Sequence, residues 1–388
     1  MSPIANNLVP RDEVEKPEIS FPLHVMTCSY CALVQIPEIA SPEQLFKDDY
    51  VYFSSYSTSW LEHASEYVKK MTNFLNLEKD DLVLEVASND GYLLQYFQEL
   101  GIEVLGIEPA LNAALAAESK GIPTVKKFFG SEVANQLVLG HKPRLMLGNN
   151  VLAHVPDIHD FIEGFAQILS KDGVITFEFP HLNNLIKYNQ FDTIYHEHYS
   201  YLSLTALCPI IASHGLKIFD VEKIQTHGGS LRVFLGHIDS KWVVENTVEI
   251  VLKEESELDP REERISTLLQ SNALNIKLDL ISELVKCKKE GLEIAAYGAA
   301  AKGNTLLNYS GIDSDLINYV VDLNPHKQNK YLPGSRIPVV GTEKLLLSPP
   351  DILLVLPWNL AEEVKLQVMS SSGKKMRFLK AVPKLEYF

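Results

Sequence analysis

The stretch Thr193 to Leu204, TIYHEHYSYLSL, sets Tyr195, His196, Glu197 and His198 side by side, with Tyr199 and Tyr201 close behind. An imidazole titrates near neutrality, a carboxylate can orient it, and a phenol can donate to a developing negative oxygen. Together these residue types suit general acid–base chemistry, in which one group takes a proton and others orient the base and hold the resulting charge. If the run is extended, alternate residues face opposite ways, and His196 points away from Tyr195 and Glu197. Eight of the 12 histidines fall between His154 and His237. A packed, satisfied histidine is the ordinary alternative. We accept it for His159, His181, His214 and His237.

A second set of candidates stands at strand ends. The run Glu85-Val-Ala-Ser-Asn-Asp-Gly91 closes a short apolar strand and contains one glycine. It lacks the G-x-G-x-x-G of a dinucleotide site, which argues against a nicotinamide-dependent oxidoreductase or epimerase. Glu108 ends the next strand, 23 residues after Glu85. A carboxylate there can accept hydrogen bonds from both ribose hydroxyls of a nucleoside. The structural alternative is that Glu85 and Glu108 are solvated charges. THGGS (Thr226 to Ser230) is a glycine turn able to approach a ligand closely, with Arg232 two positions on. In YGAAAKGNT, the turn from Ala299 to Thr305 offers N–H groups, Lys302 and Asn304 to a pyrophosphate. A tight strand–helix connection is its structural alternative.

The elements that must position these residues follow from periodicity. Trp60, Leu61, Ala64, Tyr67, Val68, Met71, Phe74 and Leu75 recur at helical spacing. LVLEVA, VLGIEP, LMLGNN and GVITFEF read as buried strands alternating with helices, which implies a parallel sheet covered on both faces. LKIFDVEKI and SLRVFLGH, joined by THGG, should pair antiparallel as a closing hairpin. The charged segment Lys253 to Arg264, broken by Pro260, marks the approach to a domain boundary. Beyond a long helix to about Lys289, the strand, turn and helix start in EIAAYGAAAKGNT, with YVVD and DILLVLP, predicts a second, smaller α/β unit. Residues 1–56 form an irregular lid, 57–250 the first α/β domain and 251–388 the second.

Composition narrows the classes. A chain of 388 residues exceeds one ordinary core. With a formal net charge of −15 and no long basic cluster, nucleic acid is a poor partner. No apolar run reaches the ~18 residues of a membrane span. The N-terminus shows no basic region followed by an apolar one, and four cysteines make no disulfide framework. These features point to a reducing cytoplasm, with no membrane partner.

VLEVASNDGYLLQYF, GIEPA, NNVLAHVPD, FEFPHL, FDTIYHEHYSYLS and THGGSLRVF together resemble the sugar C-methyltransferases, which use S-adenosylmethionine to methylate a ring carbon of a nucleotide-linked keto-deoxysugar. The likeness runs from about Ser2 to the C-terminus. It implies a Rossmann-like class I methyltransferase sheet, with Glu85, Ser88 and Gly91 shaping the cofactor loop. Glu108 would hold the ribose, Asn149 and Asn150 the methionine side, and Phe128 or Phe129 would stack near the adenine. It further implies His198 as general base, with Glu197 and Tyr195 holding substrate or enolate and His154 in the same cleft. Tyr50 or Tyr52 in DDYVYFSSYS would reach the substrate from the lid. His227, Gly229, Ser230, Arg232, Lys302 and Asn304 would hold the nucleotide diphosphate. The reaction implied is removal of a proton, at C3 for a 4-keto sugar, followed by attack of the enolate on the methyl group.

The family usually opens with a zinc module of two Cys-x-x-Cys pairs. Only Cys28-Ser-Tyr-Cys31 stands here, and with His24 as a conceivable third ligand no fourth is evident. The expectation is therefore no structural zinc. Competing readings are an O- or N-methyltransferase on a related sugar nucleotide, and a non-catalytic sugar-nucleotide binder.

Overall fold

The computed structural model describes residues 1–39, 53–137, 140–371 and 376–388. Its main sheet has seven strands: β1 (Leu82–Val86), β2 (Glu103–Ile107), β3 (Thr124–Val125), β4 (Leu145–Asn149), β5 (Val174–Pro180), β6 (Leu216–Ile224) and β7 (Ser230–His237). They lie in the order β6-β7-β5-β4-β1-β2-β3. All pairings are parallel except those of β7, which runs antiparallel to both β5 and β6. This is the sheet of a class I methyltransferase. β1 and β5 are buried almost throughout because helices cover both faces, so their sequences are unbroken apolar runs and not alternations.

Helix α1 (Thr58–Leu75) starts where the Ser57 hydroxyl accepts the Trp60 N–H, and it stops at Asn76 in a left-handed conformation. Trp60, Ala64, Tyr67, Val68, Met71 and Leu75 form its buried face. Phe74, expected on that face, is 43% exposed and stacks on Trp242 at the rim. Helices α2 (Leu111–Ser119), α3 (Ile158–Ile168), α4 (Leu204–Ser213) and α5 (Asn246–Glu255) are its other long helices, with shorter ones at Leu94–Glu99, Ser131–Gln136 and Leu182–Lys187. Val248 and Val251 of α5 still pack into the first core.

The long helix α6 (Glu263–Lys289) leads into a second sheet. Its strands are β8 (Ile294–Tyr297), β9 (Val320–Val321), β10 (Val339–Val340), β11 (Ile352–Val355), β12 (Arg377–Lys380) and β13 (Glu386–Tyr387), ordered β10-β9-β8-β11-β12-β13. Only β13 is antiparallel. Helix α7 (Ala301–Ser310) follows β8.

The N-terminal residues are irregular, as expected, yet two pairings in them were not legible from sequence. Met26–Thr27 and Val34–Gln35 form a small sheet with Ser200–Tyr201, directly after His198. Val9–Pro10 pairs with Lys330–Tyr331 beyond the second sheet's β9. Two-residue strands carry no periodicity, so long-range contacts decide them.

Candidate active site

Each sheet reverses its strand order once, and each reversal opens a crevice at the strand C-termini. In the first sheet the reversal lies between β1 and β4, bringing the loop after Val86 beside Asn149 and Asn150. In the second it lies between β8 and β11, bringing the turn after Tyr297 beside Pro357, Trp358 and Asn359. The segment from Phe191 to His198 runs between the two crevices. His154, past the end of β4, places Nδ1 2.6 Å from the Glu197 carbonyl oxygen. On the other side, Trp358 Nε1 donates to Asp192 Oδ2 at 2.7 Å and the Thr305 hydroxyl to the Ile194 carbonyl at 3.2 Å. Phe191 is buried in the core of the second sheet.

The YHEH run is not extended. The His198 N–H donates to the Tyr195 carbonyl at 2.9 Å, closing a turn with His196 and Glu197 at its centre. The turn therefore brings its two ends, Tyr195 and His198, together. The Tyr195 hydroxyl lies 2.8 Å from His198 Nε2, and the rings sit 4.0 Å apart. His198 Nδ1 lies 2.9 Å from the Thr193 carbonyl oxygen. A carbonyl only accepts, so the neutral ring carries its proton on Nδ1 and leaves the Nε2 lone pair to the Tyr195 hydroxyl. The His154 and His198 ring centroids are 4.7 Å apart, edge to face. Burial pulls His154 down to about pKa 4, against the opposing hydrogen bond to Glu197, so it is neutral at pH 7.

The central residues of the turn face elsewhere, which corrects the expectation for Glu197. Glu197 does not face Tyr195 and His198. Its Oε1 accepts the Asn6 N–H at 3.0 Å, and burial raises its pKa. His196, expected to point away from Tyr195, packs under the N-terminal segment on the same side as Glu197, with Nε2 3.2 Å from the Pro22 carbonyl and its ring against Phe21. The physical reason is the tight turn, which replaces two-residue alternation with a chain reversal.

At the first crevice, the loop after β1 is built from left-handed residues: Ala87 (φ 57), Asn89 (φ 50) and Gly91 (φ 74). A Cβ on Gly91 would come within 2.3 Å of Ile122 Cδ1, so only glycine fits. Glu108 accepts the Asn89 N–H on Oε2 at 2.9 Å and the Ala110 N–H on Oε1 at 2.8 Å. Burial lifts its pKa to about 7 despite those N–H groups. Glu85 is buried beside the Tyr92 hydroxyl, and burial raises its pKa well above the usual range, with the Tyr92 hydrogen bond opposing. Ser88 Oγ, Asp90 Oδ1, Asn149 Oδ1 and Asn150 Oδ1 are buried and unpartnered. Four unpartnered acceptor atoms around one crevice, beside the buried Glu85 carboxyl, fit a ligand that brings donors and positive charge. S-adenosylmethionine has both, in its α-amino and sulfonium groups, and Glu108 retains lone pairs for its ribose hydroxyls. Phe129 packs edge-on against Phe161 and Phe165 in the core, leaving Phe128 as the exposed ring of the pair.

Two of the expected nucleotide ligands are placed elsewhere. Arg232 lies buried on the sheet face, with Nη2 2.7 Å from Glu178 Oε2 and 3.0 Å from His63 Nε2, over the Tyr67 ring. It answers a buried carboxylate and does not reach a cleft. Ser230 is 1% exposed, and its hydroxyl closes the glycine turn on the Thr226 carbonyl. Gly229 (φ 108) takes a conformation that suits glycine, and a Cβ there would meet Asn184 at 2.3 Å. The neighbouring Gly228 lies under the Trp358 ring, which a Cβ would meet at 2.4 Å. Tyr50 and Tyr52 lie outside the described residues, as does the side chain of His227. Lys302 and Asn304 line the second crevice. Lys302 Nζ donates to Asn359 at 2.7 Å and lies over the Trp358 ring, and its lowered pKa follows from burial, with Asp192 opposing. Asn304 is 1% exposed with neither amide atom hydrogen-bonded.

Sequence reasoning missed Asp192, Trp358 and Asn6. Trp358 carried a signal, since it follows the buried strand DILLVLP at a strand end. The bland readings of His181 and His214 match simple partners: His181 pairs with Glu255, which caps α4, and His214 pairs with Glu163. Cys28 and Cys31 sit on one turn, and no group of three metal-ligating side chains occurs among the described residues. Among those residues no helix is long and apolar enough to cross a membrane.

Three family models match: a putative zinc binding domain over residues 1–46, a methyltransferase domain over 60–221 and a C-methyltransferase C-terminal domain over 225–383. A C-methyltransferase of Streptomyces niveus, NovU, is 36% identical over 369 residues, covering 94% of this chain and 86% of the relative. Solved structures match the methyltransferase half. An S-adenosylmethionine-dependent methyltransferase from Clostridium acetobutylicum is 12% identical over 46% of this chain and 92% of its own, with a TM-score of 0.38. The magnesium protoporphyrin IX methyltransferase of Synechocystis with bound S-adenosylmethionine is 15% identical over 50% of this chain and 88% of its own, with a TM-score of 0.35.

Proposed function

Because the chain belongs to the family of S-adenosylmethionine-dependent C-methyltransferases, we propose that it methylates a ring carbon, C3, of a nucleotide-diphosphate 4-keto-deoxysugar through an enolate. The observation that carries this reading is the Tyr195–His198 pair, 2.8 Å apart, with Nε2 of His198 held as a proton acceptor. A carbon nucleophile must first lose a proton, and this pair is a neutral base able to take it.

The methyl donor supplies an electrophilic methyl carbon. The other tasks fall to this chain's side chains. The Tyr195 oxygen accepts the C3 proton as its own proton passes to His198 Nε2, so the pair ends as phenol and imidazolium. The C–H electron pair moves into the enolate, whose negative charge then lies beside the new imidazolium. His154, neutral at pH 7, adds no positive charge that would oppose protonation of the ring 4.7 Å away. Lys302 and Asn304 favour an anion in the second crevice, where a diphosphate would tether the sugar close to Tyr195. Glu85, Ser88, Gly91, Glu108, Asn149 and Asn150 hold the cofactor. We divide the chain into lid, catalytic domain and nucleotide-binding domain at residue 56 and, five residues past the expected 250, at the end of α5, because Val251 still packs into the first core.

The test is one incubation in deuterated water with S-adenosylmethionine and a thymidine-diphosphate 4-keto-6-deoxysugar, read by mass and carbon NMR. A new methyl on carbon, with deuterium exchange at the same centre in unreacted substrate, supports the reading. A methyl found on oxygen or nitrogen, without exchange, would replace it with the alternative reaction.

A further inference from the structure

The segment 53–57, just ahead of α1, touches both halves of the molecule. The Ser54 N–H donates to Asn89 Oδ1 at 2.9 Å, and Ser54 is buried. Lys120 Nζ, at the end of α2, donates to the Ser55 hydroxyl at 3.0 Å and to the Asp90 carbonyl at 2.7 Å. Trp60, in the first turn of α1, stacks on Tyr92 with ring centroids 5.9 Å apart. The segment and the helix it starts are therefore hung on the cofactor loop after β1. On the other side, Phe53 stacks on His326 of the second domain, with centroids 6.1 Å and planes 21° apart. The Ser59 hydroxyl donates to Glu363 Oε2, in the helix Ala361–Ser371 of that domain, at 3.4 Å.

Each end of this bridge is anchored at a crevice. Asn89, left-handed at φ 50, gives its N–H to Glu108 Oε2 at 2.9 Å, while its side chain holds Ser54. One residue thus joins the carboxylate set for the cofactor's ribose to the segment before α1. At the far end, the His326 N–H donates to Asn324 Oδ1 at 2.9 Å, and the Asn324 N–H to Asp322 Oδ1 at 2.8 Å. Asp322 Oδ2 accepts the Ala299 N–H at 2.7 Å, and Lys327 Nζ donates to the Ala299 carbonyl at 2.9 Å. The loop 322–328 that carries His326 is thereby fastened to the turn after β8.

We propose that Asn89 is a positioning residue through which cofactor binding at Glu108 steadies the loop 322–328 of the second domain. A ligand on Glu108 orders the loop after β1 and with it the Asn89 amide. Ser54 and Phe53 follow, because the segment is a single short turn closed by the Tyr56 N–H on the Phe53 carbonyl at 3.3 Å. Order gained at 322–328 is entropy that a ligand of the second crevice no longer loses, so the two sites favour each other's occupation. The effect on a nucleotide rests on the substrate proposed above; the coupling to residues 322–328 does not.

Amide hydrogen exchange of the full chain, read by mass spectrometry with and without saturating S-adenosylhomocysteine, tests it. The ligand should slow exchange in peptides covering 87–91 and also, about two- to tenfold, in 322–328, the range for one aromatic contact. Ser54→Pro removes the donor to Asn89 at the first position of a 3₁₀ turn, where proline fits because Phe53 (φ −119, ψ 119) is already extended. In that variant protection at 87–91 should persist and protection at 322–328 should vanish. Phe53→Ala, which keeps the Asn89 contact, should give the same pattern. No protection at 322–328 in the wild-type chain, or undiminished protection there in both variants, would overturn the proposal. Calorimetry with thymidine diphosphate should show binding about two- to tenfold tighter to the cofactor-loaded wild-type chain, and no such difference in Ser54→Pro. Protection at 322–328 without any thymidine diphosphate binding would uphold the coupling and overturn the nucleotide reading instead.

Discussion

His198 Nδ1 lies 2.9 Å from the Thr193 carbonyl oxygen, and this contact determines which nitrogen of the ring is basic. With the proton fixed on Nδ1, Nε2 faces the Tyr195 hydroxyl. The carbonyl belongs to a short turn, Phe191–Thr193, whose neighbours are gripped by Trp358 and Thr305 from the second domain. The base is thus oriented from across the domain boundary.

Removing the base should separate catalysis from cofactor binding. His198→Asn is expected to lower turnover at least ~100-fold, within the usual range for a general base. S-adenosylmethionine affinity should stay within a few-fold, as the ring does not line the first crevice. Turnover assays beside calorimetry decide this, and near-normal turnover would remove His198 from the mechanism.

Trp358→Phe keeps a ring over Gly228 but removes the N–H that binds Asp192. Burial already lifts Asp192 to about pKa 6, with Lys302 and Trp358 opposing. Losing a hydrogen bond to a charged group costs roughly 1.5–3 kcal/mol locally. Turnover should fall about tenfold or more at unchanged cofactor affinity. An unaltered kcat would show that the turn holds its shape without this contact.

Cofactor affinity should depend on pH through Glu108. Its pKa is about 7 in the ligand-free chain, and ribose hydroxyls bind the carboxylate form better. Affinity should therefore weaken as pH falls from 8 to 6, and Glu108→Gln should be weaker throughout and flat with pH. A titration series of S-adenosylhomocysteine binding checks it; identical slopes in both proteins would discard the ribose assignment.

Arg232 should prove to be a stability residue. Burial pushes Glu178 up, but the His63 hydrogen bond and the Arg232 charge outweigh it and bring the pKa to about 2. Arg232→Met strands that carboxylate and should cost about 3–5 kcal/mol in denaturant unfolding. Adding Glu178→Gln should recover part of the loss. Nucleoside-diphosphate affinity of the folded variant should not change, and a large drop there would return Arg232 to the binding site.

Acid should destabilise the fold through His154 before it affects Glu178. A histidine lowered from 6.5 to about 4 binds fewer protons folded than unfolded. Its contribution is whole above pH 6.5 and is lost as pH falls toward 4, roughly 2 kcal/mol after allowance for its partial exposure. Glu178, lowered from 4.5 to about 2, loses its share only below pH 4.5. His154→Gln should flatten the stability curve between pH 6.5 and 4 alone; an unchanged slope in that window would contradict the neutral state assigned to His154.

Much of this was written in local sequence. Burial on two faces forces strands such as LVLEVA and GVITFEF to be continuously apolar, and strand ends then mark where ligands sit. Glu85, Glu108, Lys302 and Asn304 were legible as strand-end candidates for that reason. Tyr195 and His198 were legible as chemistry, though not as geometry. Whether YHEH is extended or turned depends on one hydrogen bond, from the His198 N–H to the Tyr195 carbonyl, which residue types do not reveal. Arg232 looked like a ligand because a cation beside a glycine turn suits a phosphate. Only the packed sheet supplied Glu178 as its closer partner. Asp192 and Trp358 gained meaning from residues far along the chain, through domain contact. Periodicity and residue type act over a few residues, so they determine elements and candidate chemistry. The partner that each buried charge finds is decided by tertiary packing, because a charge removed from water must be answered by whatever group the fold brings within reach.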